Sequence, residues 1–303
     1  MKQLLVFDLN GKFIREIGKR GPGVGEFIEV KNFMFTNEGT IEILDFRKIE
    51  SYSFDGKHLG TVKRFDFIGT DFYCNPNNFC RSFSSGYYFW AGVSGLLRDD
   101  ERLREKSSLM YRVNNDMKID GAYFDTKYGD GGTMDRFKYC QEKILVFPSS
   151  LNYNVYQINS NDSISIRYSF DFGKHGFDSS QDVDRKTISY DEYISGINNF
   201  NETDRFLNFS FSYKRLAHNM IYSKMTGQSY ILTLAPANNE NEFRFWYTKA
   251  IHDDRLIALV DVYLLKMEFE RMSKENIKKW GLEGIYKLDD EANPVLVFYK
   301  PKF

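Results

Sequence analysis

With 303 residues, the chain is long enough for one large all-β domain or two ordinary ones, and for a substantial buried core. Basic and acidic side chains nearly cancel, 41 against 42, with no long block of one sign, which argues against nucleic-acid binding through a general electrostatic footprint. The 28 Phe and 20 Tyr against only 6 Pro favour pleated, half-buried strands.

The N-terminus runs straight into a strand pattern, Leu4 to Phe7, with no apolar signal core and no cleavage site. Val6-Phe7-Asp8-Leu9-Asn10-Gly11-Lys12-Phe13-Ile14 is echoed by Ser53-Phe54-Asp55-Gly56-Lys57-His58-Leu59, at a spacing within the roughly 40–50 residues of a propeller blade. Between the copies lies the glycine-rich run Gly18 to Phe27. It lacks the Gly-Lys-Ser/Thr end of a phosphate-binding loop and leads into strand, so it reads as a connection needing permissive backbone angles.

From Asn32 to Phe65 a complete blade is legible. Phe33-Met34-Phe35, Thr40 to Leu44, Ile49 to Phe54 and Lys57 to Lys63 are four strands joined by Asn37-Glu38-Gly39, Asp45 to Lys48 and Asp55-Gly56. Asp55-Gly56 predicts a type I′ hairpin, and the last strand is polar enough for a sheet edge. Further strands are predicted at Arg81 to Phe83, Gly86 to Ala91, Leu109 to Val113, Phe137 to Cys140, Lys143 to Phe147, Asn154 to Ile158 and Ile164 to Phe170.

Residues 175–205 break the rhythm and read as a polar insertion on one face, with a helix start at Ser189 to Ile194. Strands resume at Phe206 to Phe211, His218 to Ser223, Ser229 to Leu234, Phe243 to Ala250 and Leu256 to Val260. Ser273 opens a short C-terminal helix as N-cap, and Val295 to Tyr299 is an apolar final strand. About five blades are legible, as one β-propeller domain over 1–303. No window holds the roughly 18 apolar residues of a membrane-spanning helix.

The run Val6 to Tyr52 resembles an NHL-type propeller repeat: Gly11, Lys12 and Phe13, the glycines 18, 21, 23 and 25 with Glu26 and Phe27, then Ile43, Leu44 and Asp45 match its pattern. More closely, the chain is similar to the six-bladed β-propeller envelope proteins of Bacteroidetes, of unknown function, whose ending resembles Asn293 to Val297. The strong match covers the first fifth of the chain. The resemblance implies a cell-envelope location, periplasmic or at the outer-membrane surface, and a lipid anchor only in a longer parent chain. Family members carry a lipoprotein signal and a further blade before the Phe-Asp segment, so the resemblance implies an N-terminally truncated start here. On that reading the C-terminal strand would have to complete the first unit.

Candidate sites follow from chemistry. Cys74, Cys80 and Cys140 form no metal-ligand spacing and read as isolated thiols. His58, His175, His218 and His252 form no metal-binding pair at helical spacing, although NHL-type lyases hold metal on histidines around a central channel. No Gly-x-Ser-x-Gly elbow is present. Asp8, Asp45 and Asp261, at strand ends, read as turn caps.

Trp90 and Trp246 are candidates to stack on a ligand, against the alternative of packing between blades. Tyr190 and Tyr193 belong to the segment expected to carry specificity, because loops on a rigid scaffold carry function. The leading expectation is a non-enzymatic module binding a peptide, glycan or protein partner on one face or at the central channel. It uses no cofactor, metal or nucleic acid. The alternative is a metal-assisted lyase or hydrolase at the channel mouth.

Overall fold

The computed structural model describes residues 3–8, 11–45, 48–64, 77–90, 108–116, 118–125, 135–140, 142–148, 151–178, 188, 191–233 and 245–302. Three hairpins near the N-terminus share one local device. At Thr36 to Gly39 and Ser53 to Gly56 the fourth residue's N–H donates to the first residue's carbonyl at 3.1 and 2.9 Å, and the glycine sits at φ +76° and +86°. Asp55 has no positive φ, so this turn is not the expected two-residue type I′ but a three-residue loop closed by one left-handed glycine. Gly11 closes the first hairpin on the Asp8 carbonyl in the same way. The two copies of the echo therefore superpose on their glycines, with Phe7 inside a strand and Phe54 inside a turn.

These hairpins build antiparallel meanders of the β-propeller fold, in two compact units. The first unit runs through Asp171. It begins with the hairpin β1 (Leu4–Phe7) and β2 (Phe13–Ile17) and the short parallel pair β3 (Lys19–Arg20) and β4 (Glu26–Phe27). Three four-stranded blades follow. The first is β5 (Asn32–Phe35), β6 (Thr40–Leu44), β7 (Lys48–Ser53) and β8 (His58–Arg64). The second is β9 (Asn78–Arg81), β10 (Tyr87–Trp90), β11 (Ser108–Val113) and β12 (Ile119–Asp125). The third is β13 (Phe137–Cys140), β14 (Lys143–Val146), β15 (Asn154–Ile158) and β16 (Ile164–Ser169). First strands neighbour first strands, β5 beside β9 and β9 beside β13.

Burial on both faces explains the apolar sequences of the middle strands. Along β10 the side chains alternate, so Tyr87 and Phe89 pack with Met34, Leu44 and Ile49 of the first blade. Tyr88 and Trp90 pack with Ile144, Val146 and Ile158 of the third. Each such side chain contributes on the order of 1.5–3 kcal/mol on burial. The glycine-rich run is the joint expected of it. Gly18, at φ +67°, has no room for a Cβ against Phe27 and Tyr52, and the Glu26 carboxylate accepts from the Gly23 N–H at 2.9 Å.

The second unit starts at Phe172, and its first blade is β17 (Ser195–Glu202), β18 (Phe206–Tyr213), β19 (Leu216–Ser223) and β20 (Ser229–Thr233). β17 corrects the expected insertion over 175–205: Ser195–Glu202 is the first strand of a blade, paired with β18. Of the expected helix start, Ser189 and Tyr190 lie outside the described residues, and Asp191 to Tyr193 form a turn. Nearby, Gly173–His175 make one turn of 3-10 helix.

The last sheet has three strands, β21 (Thr248–His252), β22 (Arg255–Val260) and β23 (Val295–Tyr299), with β21 beside β17. The C-terminal strand thus pairs with β22 rather than completing the first unit. Two helices separate β22 from β23 where one was expected, α1 (Val262–Phe269) and α2 (Lys274–Lys279). α1 buries Val262, Leu265 and Phe269, and the Ser273 hydroxyl caps α2 by accepting from the Asn276 N–H at 3.3 Å. Among the described residues no helix is long and apolar enough to cross a membrane.

Candidate functional site

In the first unit, a cavity of about 910 Å³ opens along β5, with walls from the segments that begin β9 and β13. Meander topology places it there, because inner strands present side chains, and one unpaired edge, to the space they surround. At its upper end a small polar network joins the three blades. The Asn32 amide nitrogen donates to the Asn78 side-chain oxygen and to the Asp135 carboxylate, both at 3.1 Å. Asn78 also accepts the Arg136 backbone N–H at 3.2 Å and donates to the Asn77 side-chain oxygen at 3.3 Å.

Along the wall, Lys31 is paired with Glu29 at 2.8 Å. At the other end the surface is aromatic. Phe35 is 58% exposed, meets Phe33 edge-on and stacks on Phe54. Tyr139 accepts the Arg81 backbone N–H at 3.0 Å, which fixes its ring. The lining thus offers uncharged amides, compensated charges and flat apolar surfaces on strands rather than mobile loops.

Among the described residues, none of the candidates singled out in the sequence lines this cavity. Trp90 is fully buried, between Phe124 and Phe137 with the Arg136 guanidinium over its ring, which leaves no open face for a ligand. Trp246 is half-buried and packs on the cluster of Val260 and Phe269. Tyr193 is half-buried, edge-on to Phe177, and Tyr190 lies outside the described residues. Asparagines at strand starts carried no signal beyond turn propensity, although Asn77-Asn78 and Asn32 each stand just before a Phe that opens an apolar strand.

Each of the four histidines has its own partner. His58 meets the buried Glu50 carboxylate at 2.8 Å. There burial opposes ionisation, but hydrogen bonds from Lys48, His58 and Thr61 hold the Glu50 carboxyl below its usual range. His175 bonds the Tyr213 hydroxyl at 3.0 Å, and His218 stacks on Phe211, where burial lowers its pKa. His252 sits at an exposed hairpin end against Asp253. Among the described residues no group of three or more His, Cys, Asp or Glu side chains is placed to share a metal ion.

Cys80 is buried, and burial pushes its thiol up, while Cys74 lies outside the described residues. Asp45 accepts the Ile28 and Glu29 N–H groups, and Asp8 accepts that of Lys12, as turn caps do. Asp261 stands exposed before α1 without a capping bond.

Comparison with known proteins places this geometry in context. The chain is similar to a protein from Bacteroides fragilis NCTC 9343 that its name assigns to export. The two share 18% identity at a TM-score of 0.73, over 99% of this chain and 85% of that one. A Bacteroides caccae protein of unknown function is similar at 8% identity and a TM-score of 0.41, over 85% and 78%. The extracellular domain of a hybrid two-component system from B. thetaiotaomicron is similar at 10% identity and a TM-score of 0.43. That match covers 76% of this chain but 26% of that one. No curated protein matches the sequence. The family described as a domain of unknown function, DUF4934, matches residues 1–300, and the chain belongs to it.

Proposed function

We propose that this protein is a non-enzymatic recognition module of the bacterial cell envelope, binding its partner in the cavity walled by β5, β9 and β13. One observation carries the reading: a cavity of about 910 Å³ whose polar groups are held by hydrogen bonds between three strand-borne segments. Pockets of this size suit a small molecule or a short oligomer, and sites on strands hold geometry better than sites on loops. The envelope location is supported by the B. fragilis protein of matching fold whose name assigns it to export, an argument by analogy. NHL-like blades in a six-bladed parent family are carried by the sequence resemblance, and the Gly18 to Phe27 joint, held by the Tyr52 hydroxyl donating to the Gly25 carbonyl at 3.0 Å, fits NHL-like blades.

The test is to fill the cavity from its rim. Asn37 lines the cavity, is exposed and makes no bond among the described residues. Asn37→Trp should leave thermal unfolding unchanged. It should abolish binding of whichever member of a peptide and oligosaccharide panel the wild type binds, measured by calorimetry. Equal binding to wild type and Asn37→Trp would overturn the reading, as would loss of binding in Tyr193→Ala with Asn37→Trp unaffected.

A further inference from the structure

We propose, building on the cavity reading above, that the ligand is a neutral saccharide. The argument starts from one buried side chain. Asn78 is 3% exposed, and the atom it turns toward the Arg136 backbone N–H must be its oxygen, because that N–H can only donate. This orientation propagates. Its nitrogen then faces Asn77, which must present oxygen to it and so turns its own nitrogen away. Its oxygen also faces Asn32, which must present nitrogen, shared with Asp135, and so turns its own oxygen away.

The result is an acceptor, Asn32 Oδ1, and a donor, Asn77 Nδ2, neither with a partner among the described residues and both held in one orientation by Asn78. Charge narrows the ligand class. Lys31 is neutralised by Glu29, Lys138 is likewise engaged within the protein, Asp135 accepts from Asn32, and no arginine is among the lining residues. A phosphate or carboxylate ligand needs an unpaired cation or a guanidinium fork, and the cavity offers neither.

A peptide added to the unpaired edge of β5, β9 or β13 would bond through its backbone and leave the fixed amides of Asn32 and Asn77 unused, so a peptide is the competing occupant that the titration separates. Hydroxyl groups do match amides, since each can donate to Asn32 and accept from Asn77. The exposed ring of Phe35 and the edge of Tyr139 offer flat apolar surface for the C–H faces of a sugar ring.

The discriminating variant is Asn77→Asp, which keeps the oxygen facing Asn78 and replaces the presented donor with an acceptor. Wild type and variant are titrated with neutral hexose oligosaccharides of several linkages, with oligogalacturonate, and with uncharged Gly/Ser/Asn hexapeptides. At least one neutral oligosaccharide should bind, at least tenfold more weakly to Asn77→Asp, the loss expected for one hydrogen bond. Oligogalacturonate should bind more weakly than its neutral counterpart. If the hexapeptides bind in an Asn77-dependent way and no saccharide does, the saccharide assignment falls and the cavity reading stands. If no saccharide binds at millimolar concentration, or if binding is indifferent to Asn77→Asp, the assignment is overturned. Indifference to Asn37→Trp as well would remove the cavity reading with it.

Discussion

The seams between blades in the first unit are held by charge, whereas the seam in the second unit is neutral. Between the first and second blades, the fully buried Glu42 carboxylate receives the Arg81 guanidinium and, at 3.2 Å, the Tyr87 hydroxyl. Between the second and third, Asp162 reaches from the β15–β16 turn into the β9–β10 turn. There it accepts from the Phe83 and Ser84 N–H groups at 3.1 Å and from the Ser82 and Ser84 hydroxyls. In the second unit, β18 meets β21 through Thr248, whose hydroxyl donates to the buried Asn208 oxygen at 2.7 Å, with Asn208 donating to the Met220 carbonyl. The contrast teaches that a meander leaves the chemistry of its seams open. The two solutions should differ in strength and in pH response.

The largest effect is expected at Glu42. Removing one partner of a buried pair leaves the other uncompensated and costs about 3–5 kcal/mol, but Arg81 is one-third exposed and already bonds Glu38 at 2.9 Å. Glu42→Ala should therefore lower stability by about 3 kcal/mol in urea unfolding, and Glu42→Gln by about half of that. A loss below about 1 kcal/mol in Glu42→Ala would mean that Met34, Phe79 and Phe89 hold the seam by packing alone.

Asp162 comes next, and its signature is pH. Burial opposes its ionisation, but the bonds from Ser84, Ser82 and the Phe83 and Ser84 amides outweigh burial and hold its carboxyl below the usual range. A depressed native pKa stabilises above the unfolded value, near 3.9, and that stability is lost as pH falls through the native value. Asp162→Asn should cost about 2 kcal/mol at pH 7, with the difference from wild type shrinking as pH falls below the unfolded value and on through the native one. Asn tolerates the left-handed φ of +59° at this position, so the comparison is free of new strain. Glu50, also depressed, is present in both proteins and cancels in the difference. A difference that is flat with pH would show that the carboxylate charge does not hold this seam.

Thr248→Val tests the neutral seam. It leaves Asn208 with only the long 3.4 Å contact from Asn201 at its oxygen, a loss of about 1–1.5 kcal/mol. No group in this bond titrates, so the loss should be the same at pH 4 and pH 8, by the same urea measurement. A pH-dependent loss would erase the contrast between the two seams.

The same contrast explains what was legible in the sequence. Strands buried on both faces by apolar contacts, such as β10 with Tyr87 to Trp90, announce themselves as unbroken aromatic runs. The hairpins near the N-terminus follow from their glycines, whereas Lys214-Arg215 and Asp253-Asp254 turn at positive φ without one. β17 stayed hidden because its buried positions include Asn201, so the apolar alternation that marks a strand is interrupted where the seam is polar. The cavity was illegible for the same reason. Asn32, Asn77 and Asn78 look like turn residues until strands from separate blades bring them within hydrogen-bonding distance. Trp90 misled in the opposite direction, since a large aromatic can be a platform or a core residue, and only the second neighbouring blade decides. The partner of β23 was open because a strand separated from the rest by two helices carries no register of its own.

The smallest effect has the opposite sign and completes the comparison inside the neutral seam. Asn219 faces Ser210 across β18 and β19 and is fully buried, yet neither its oxygen nor its nitrogen has a hydrogen-bond partner among the described residues. An unpaired buried amide costs about 1–3 kcal/mol, whereas an apolar side chain of similar size carries no such penalty. The slightly greater bulk of leucine offsets part of the gain, because overpacking a tight site also costs energy. Asn219→Leu should therefore raise the urea midpoint, by about 0.5–1 kcal/mol in stability, while Asn208→Leu, which strands Thr248 and the Met220 carbonyl, should lower it by about 3 kcal/mol. Opposite signs at two asparagines on one sheet would separate an amide that joins the blades from one that is merely enclosed by them. If Asn219→Leu is also destabilising, by 1 kcal/mol or more, the enclosed amide belongs to the seam as well, and the neutral solution is more connected than its protein–protein bonds display.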